Sequence, residues 1–223
     1  PDLRALVEFW AEDTKYCWDG VAARLEWIAL KEISLGKVTF TTSNNAAIVS
    51  EYNVDYLIPS DNKIGVGTSY SSGTSAHPLT VDFPAALKKG KKLYGAKYQF
   101  AFMNVETFEK MAMQEEVVKR CATVVENITN AQDVPSLEAV NAYLTKKKET
   151  YKGLQIILID QDITLELADG SRQTGNLFED DVIHFSESKV LGNTWWKRPI
   201  DAKKMPGSVA EKVMHGHTLV KKF

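Results

Sequence analysis

The stretch LEWIALKEISLGKVTFT, residues 25–41, changes its period midway, and the fold reading turns on that change. Upstream, Trp18, Val21, Leu25, Ile28 and Glu32 recur at helical spacing, while Trp27, Leu30 and Ile33 widen the apolar side beyond one stripe. Gly36 suits the left-handed residue that ends many helices. Downstream the period drops to two: Val38 and Phe40, a polar centre TTSNN, then Tyr52, Val54, Tyr56 and Ile58 alternating with Asn53, Asp55 and Leu57. The pattern predicts a helix closed by Gly36 and a long two-stranded hairpin. A helix apolar on more than one side needs neighbours on more than one side, in its own chain or in another.

Beyond Pro59, Asp61 and Asn62, the segment GVGTSYSSGTSAHP (65–78) reads as a flexible connection and the least packed part of the chain. TVDFPAALKKGKKLY (80–94) predicts a helix with Asp82 as its cap and Pro84 in its first turn, in which Gly90 costs about 1 kcal/mol against alanine. KYQFAFM (97–103) predicts a strand running into Asn104, which caps a helix of about 105–127 with Glu106 in its first turn. Ser136 opens a further helix carrying Leu137, Val140, Leu144 and Tyr151, ended by Gly153. LQIILID (154–160) reads as a buried strand. ITLELADGSRQTGNLF and DDVIHFSES read as short strands, the former folded back through Asp169 and Gly170. Strands and helices follow no regular alternation, which favours an α+β fold over a doubly wound sheet.

A chain of 223 residues with 44% hydrophobic and 25% charged side chains has the make-up of an ordinary globular protein with a sizeable core. Its net charge of -2, from 27 basic against 29 acidic residues, creates no overall field for nucleic acid or an anionic membrane, so any nucleic-acid contact is local. Cys17 and Cys121, far apart in a chain too large to need staples, read as reduced, buried thiols. No run approaches the roughly 18 apolar residues of a membrane span, and no basic-then-apolar leader opens the chain. A soluble, unsecreted protein with no membrane partner is expected. Both ends look cut: Pro1 opens directly into LRALVEFW, and HGHTLVKKF alternates like an unfinished element, so a longer parent chain is expected.

Chemical motifs are scarce. Gly36 and Lys37 lack the spacing and hydroxyl of a phosphate loop, and Gly65 and Gly67 lack a third glycine. His215 and His217 would share a strand face and could approach one metal ion, but no third ligand is evident, so a surface turn is the simpler reading. His77 and His184 fall in no ligand pattern, and neither a GxSxG elbow nor a cysteine signature is present. Glu179, Asp180 and Asp181 read as a solvated turn. Neither catalytic residue, metal site nor cofactor is assigned. Lys88, Lys89, Lys91 and Lys92, spread widely round the predicted 80–94 helix, form either a solvated helix end or a weak, sequence-independent phosphate contact.

Four blocks fall in an order that resembles a known family. RLEWIALKEISLGKVTF resembles a helix running into an extended loop, and EYNVDYLIPSDNKI, with its Tyr-x-Val-Asp-Tyr before a proline, resembles the returning strand. HPLTVDFPAALKKGKKLYGAKYQFAFMNVETFEKMAMQEEVVKR is similar to a spine helix, a strand and a further helix, and GLQIILID with DDVIHFSESKVLGNTWW to the later strands. Together they resemble the major capsid proteins of lambda-type tailed phages, which adopt the Hong Kong 97 capsid fold. The resemblance covers roughly residues 20–195 and departs at Pro84 and Gly90, which interrupt the spine.

What the resemblance implies is an N-terminal helical segment (1–36), an extended hairpin loop (37–78), a peripheral domain with the spine helix (79–97 and 191–223) and an apical domain (98–190). It implies a non-enzymatic subunit that self-assembles as hexamers and pentamers into an icosahedral shell around DNA. Decoration and scaffold proteins would be further partners, with assembly in the bacterial cytoplasm and a final place in the virion capsid. Phe40, Asn44, Asn45 and Tyr52 then belong to the inter-subunit loop, and the four lysines become candidates to face packaged DNA non-specifically. Lambda-type shells resemble one another in being held by noncovalent contacts; related shells that crosslink join a Lys to an Asn, and although Lys37 and Asn44 or Asn45 lie in the matching loop, nothing specific marks them and no crosslink is expected. Two other readings stay open: a small metal-dependent enzyme using His215, His217 and an acid such as Asp180, and a monomeric binding module whose hairpin recognises one partner.

Overall fold

The computed structural model describes residues 3–41, 52–125, 134–151, 153–166, 169–193, 195, 211–215 and 218–222, some of them by backbone alone. The chain divides into two units, Pro1–Leu191 and Gly192–Phe223.

In the first unit, helix α1 (Leu3–Leu35) begins well before the periodic stretch at 18–34. It ends where predicted: Gly36 sits at φ +72 and donates its N–H to Glu32 O at 2.7 Å. A Cβ on Gly36 would lie 2.6 Å from Ile58 Cδ1, a side-chain end that would have to shift, so the positive φ is the firmer demand for glycine. Strands β1 (Lys37–Phe40) and β2 (Tyr52–Asp55) pair antiparallel, from Lys37 with Asp55 to Phe40 with Tyr52. The return strand expected to reach Ile58 stops at Asp55. Leu57 adopts φ 54 and donates its N–H to Asp55 Oδ1 at 2.8 Å, an Asx turn that leads the chain out of the ladder.

The glycine- and serine-rich 65–78 segment is exposed along most of its length, yet it is not loosely held. Gln114, fully buried, donates from Nε2 to the carbonyls of Tyr70 and Gly73 at 2.9 and 3.0 Å and accepts the Ala76 N–H at 2.9 Å. Glu115 N–H adds a bond to Thr74 O at 3.0 Å. The loop's backbone groups are thus satisfied from a distant turn.

A single π turn, Pro78–Asp82, leads into helix α2 (Phe83–Tyr94). Asp82 is itself helical and caps nothing, correcting the expected N-cap; its carboxylate accepts the Tyr70 hydroxyl at 2.9 Å instead. Burial raises the pKa of both partners; the Asp82 carboxylate raises that of Tyr70 further, whereas the hydrogen bond from Tyr70 partly offsets the rise at Asp82. Gly90 does not break α2. It forms a seat for the Tyr98 ring, which a Cβ would overlap, and Gly95 at φ 68 closes the helix.

Strand β3 (Phe100–Asn104) ends in the predicted cap: Asn104 Oδ1 accepts the Thr107 N–H at 2.8 Å. The single helix expected to follow is two, α3 (Val105–Ala112) and α4 (Glu115–Val125), divided at Met113 and at Gln114, whose side chain serves the 65–78 loop. Ser136 caps α5 (Leu137–Lys146) as predicted, and a break at Lys147 separates α6 (Lys148–Tyr151). Strand β4 (Gln155–Ile159) runs parallel to β3, strands β5 (Asp162–Glu166) and β6 (Arg172–Asn176) form a separate hairpin, and β7 (His184–Ser186) lies antiparallel on the other side of β3. The β5–β6 turn carries Gly170 at φ 80, as the Asp-Gly pair predicted. Leu79, Phe83, Met103, Met111, Leu144 and Ile156 anchor the core between this sheet and the helices.

Cys121 belongs to that core, where burial pushes its thiol up to about 12. Cys17 does not. It is exposed on α1, a correction that follows from the lack of packing on that part of the helix.

In the second unit, β8 (Glu211–His215) and β9 (Thr218–Lys222) form an antiparallel hairpin that closes with His215 opposite Thr218. His217, the second histidine of the metal pair considered from sequence, lies outside the described residues. The chain is a mixed helix-and-strand fold.

Candidate interaction surface

The C-terminal half of α1 is half-buried from Trp27 to Leu35, against the base of the β1–β2 ribbon. There the Arg24 guanidinium lies 4.1 Å from the Trp27 ring centre and 5.9 Å from that of Phe40. Burial lowers the Arg24 pKa, because a covered cation loses hydration. Lys31 reaches Glu179 at 2.5 Å and fastens α1 to the acidic run. That run is more than a solvated turn. Asp180 accepts from Asn104 Nδ2, while Asp181, held at φ 57, donates its N–H to Thr107 Oγ1 at 2.9 Å and its carboxylate meets Lys110 at 3.1 Å.

One turn earlier the helix changes character. Tyr16 and Trp18 are 73% and 74% exposed, and Val21 and Leu25, one and two turns on, remain more than half exposed. Trp18, Val21 and Leu25 share one side of α1 at three- and four-residue spacing. Isolated exposed apolar residues are ordinary, but a contiguous aromatic and aliphatic row marks a contact surface.

The ribbon repeats the contrast. Val38 is buried at its base, whereas Val54, Tyr56 and Leu57 are exposed, Leu57 at 80%. No third strand flanks β1 or β2 among the described residues, and the edge of such a ribbon is where a further strand can add. Phe40 is half-buried beside Arg24, and Tyr52 is its register partner; Asn44 and Asn45 lie outside the described residues. Where the ribbon leaves α1, a groove of about 860 Å³ runs past Ile33, Ile58, Leu93 and Phe185, with Lys89 and Asp61 at its rim, 3.6 Å apart.

Lys88, Lys91 and Lys92 are exposed on α2, and at 100° per residue they fall within an arc of about 100°. They share one side more closely than their spread in sequence implied, while Lys89 turns toward Asp61. His77 lies 3.8 Å from Glu116, and His184 is buried enough in β7 that desolvation lowers its pKa. Among the described residues no group of three or more His, Cys, Asp or Glu side chains could hold a metal ion, and no helix is long and apolar enough to cross a membrane. What the sequence missed was the joint made by Lys31, Asn104, Thr107, Lys110 and residues 179–181. Its partners lie 71 to 148 positions apart, and no local pattern announces them.

No protein-family model and no curated protein matches the chain. Among solved structures, it is similar to "the putative capsid protein of prophage (E.coli CFT073)", at 16% identity and a TM-score of 0.43, over 74% of this chain and 44% of that one. The chain thus spans less than half the length of that protein.

Proposed function

We propose that the chain is a structural subunit of the lambda-type tailed-phage capsid class, with the Hong Kong 97 architecture. The observation that carries the reading is the pairing of an open two-stranded ribbon with an exposed apolar row on α1, both rooted at Gly36. Neither element completes its burial within the described residues. A second copy laid across them would satisfy ribbon edges and cover Trp18, Val21 and Leu25 together. In this reading α2 is the spine helix, continuous through Gly90, and the β4-β3-β7 sheet with its helices belongs to the apical domain. Copies associate as hexamers and pentamers of a shell around DNA, with Lys88, Lys91 and Lys92 available for sequence-independent phosphate contacts.

Electron microscopy and mass photometry of the full-length protein test this reading. Rings, sheets or closed shells are expected. A strictly monomeric protein over a wide concentration range, or one carrying stoichiometric zinc, contradicts it.

A further inference from the structure

The β4-β3-β7 sheet has two edges, and the chain treats them differently. β7 is only three residues long, and so short an edge offers little to a foreign backbone. β4 carries QIILI, an apolar run of high strand propensity without proline or glycine, the composition that stacks strand on strand when its edge is open.

Parallel pairing uses alternate residues of β4. Gln155 donates its N–H to Gln99 O at 2.8 Å, so Gln155 and Ile157 turn their backbone groups toward β3, while Ile156 and Leu158 turn theirs outward. The outward groups of Ile156 are already taken. Asn141, on α5, accepts the Ile156 N–H on Oδ1 at 2.7 Å, and its Nδ2 donates to Ile156 O at 3.1 Å. One side-chain amide thus makes both bonds that an added strand would make at that position. Around it, α5 and β4 wall a groove of about 830 Å³, lined by Leu137, Ala142, Thr145 and Leu158, where a further strand would lie.

We propose that Asn141 is an edge guard: its amide closes β4 at Ile156 against β4 of a second copy, so that association is directed to other surfaces. The guard acts whether or not the chain builds a shell. Its test uses the full-length protein, Asn141→Ala, the double variant Asn141→Ala/Gln155→Lys, and Val140→Ala as a control that destabilises α5 without touching the edge. Hydrogen exchange is read at the Ile156 amide over a dilution series, and mass photometry with electron microscopy separates β4-paired dimers from shells. Each copy has one open β4 edge, so pairing through it closes as a dimer. In dilute solution Asn141→Ala is expected to speed Ile156 exchange at least tenfold, and protection should return on concentration as β4 pairs with β4. Gln155 is exposed, so lysine there should weaken that dimer by adding like charge to both sides of the contact. Concentration-dependent protection no greater than in Val140→Ala at matched stability, or undiminished by Gln155→Lys, overturns the proposal. Should Asn141→Ala not fold, Asn141→Ser takes its place and the same outcomes decide.

Discussion

Two parts of the first unit handle apolar side chains in opposite ways. Around β3, Met103, Met111, Leu144 and Ile156 are almost wholly enclosed, and even the polar Gln114 and Asn104 are buried with their hydrogen-bonding groups satisfied. On α1 and the ribbon, Trp18, Leu25 and Val54 face outward from elements whose geometry is equally regular. Regular secondary structure is therefore no measure of self-sufficiency. The first region is stabilised by its own burial, and the second, under the proposed function, would gain further burial from association.

The sharpest way to separate the regions is to remove apolar volume from the first. Phe83 is 1% exposed and meets Phe185 edge-on at 5.4 Å, so Phe83→Ala should cost about 3–5 kcal/mol in denaturant unfolding. Gln114→Ala should follow at about 2–3 kcal/mol, because several loop backbone groups lose their partner, with faster hydrogen exchange at Ala76 as its local sign.

The pH dependence of the enclosed region comes next. Burial lowers the folded-state pKa of His184 below its unfolded value, so the unfolded chain binds more protons. Its contribution to stability is present above the unfolded pKa, near 6.5, and is lost as pH falls through the folded value. Thermal melts of His184→Gln should show a flatter acid slope than the parent. Asp82 has the opposite sign: its raised folded pKa gives a contribution present below the unfolded value and lost as pH rises through the folded one. Asp82→Asn should therefore remove a penalty at neutral pH, against which the loss of a full carboxylate acceptor for Tyr70 must be set. Smallest in stability are changes to exposed lysines. Lys88→Glu, Lys91→Glu and Lys92→Glu together should stay within about 0.5 kcal/mol, while the salt dependence of any DNA binding should lose a slope of roughly 2–3.

Local chemistry wrote the parts of this fold that were legible in sequence. The change of period at Gly36, the caps Asn104 and Ser136, and the Asp169-Gly170 turn each depend on residues within a few positions. The parts that were not legible depend on distant partners. Gln114 gave no sign that it would organise residues 70–76, Asp82 was drawn from capping to Tyr70, and Gly90 was read as a cost because its purpose, seating Tyr98, lies outside its own helix. Cys17 was misplaced because its burial was inferred from the general behaviour of free cysteines and not from its neighbours, and this stretch of α1 leaves it exposed. Of the candidate contact loop, Phe40 and Tyr52 were correctly placed as strand residues, and they are cross-strand partners.

The contrast between the two regions is tested most directly by the double variant Trp18→Ser/Leu25→Ser, with thermal unfolding and assembly measured on the same full-length sample. Both side chains are exposed, so the melting transition should move by no more than the equivalent of about 0.5 kcal/mol. Assemblies visible by electron microscopy should disappear. A large drop in the melting temperature with assembly intact would contradict the account, because it would place that apolar row in the subunit's own core.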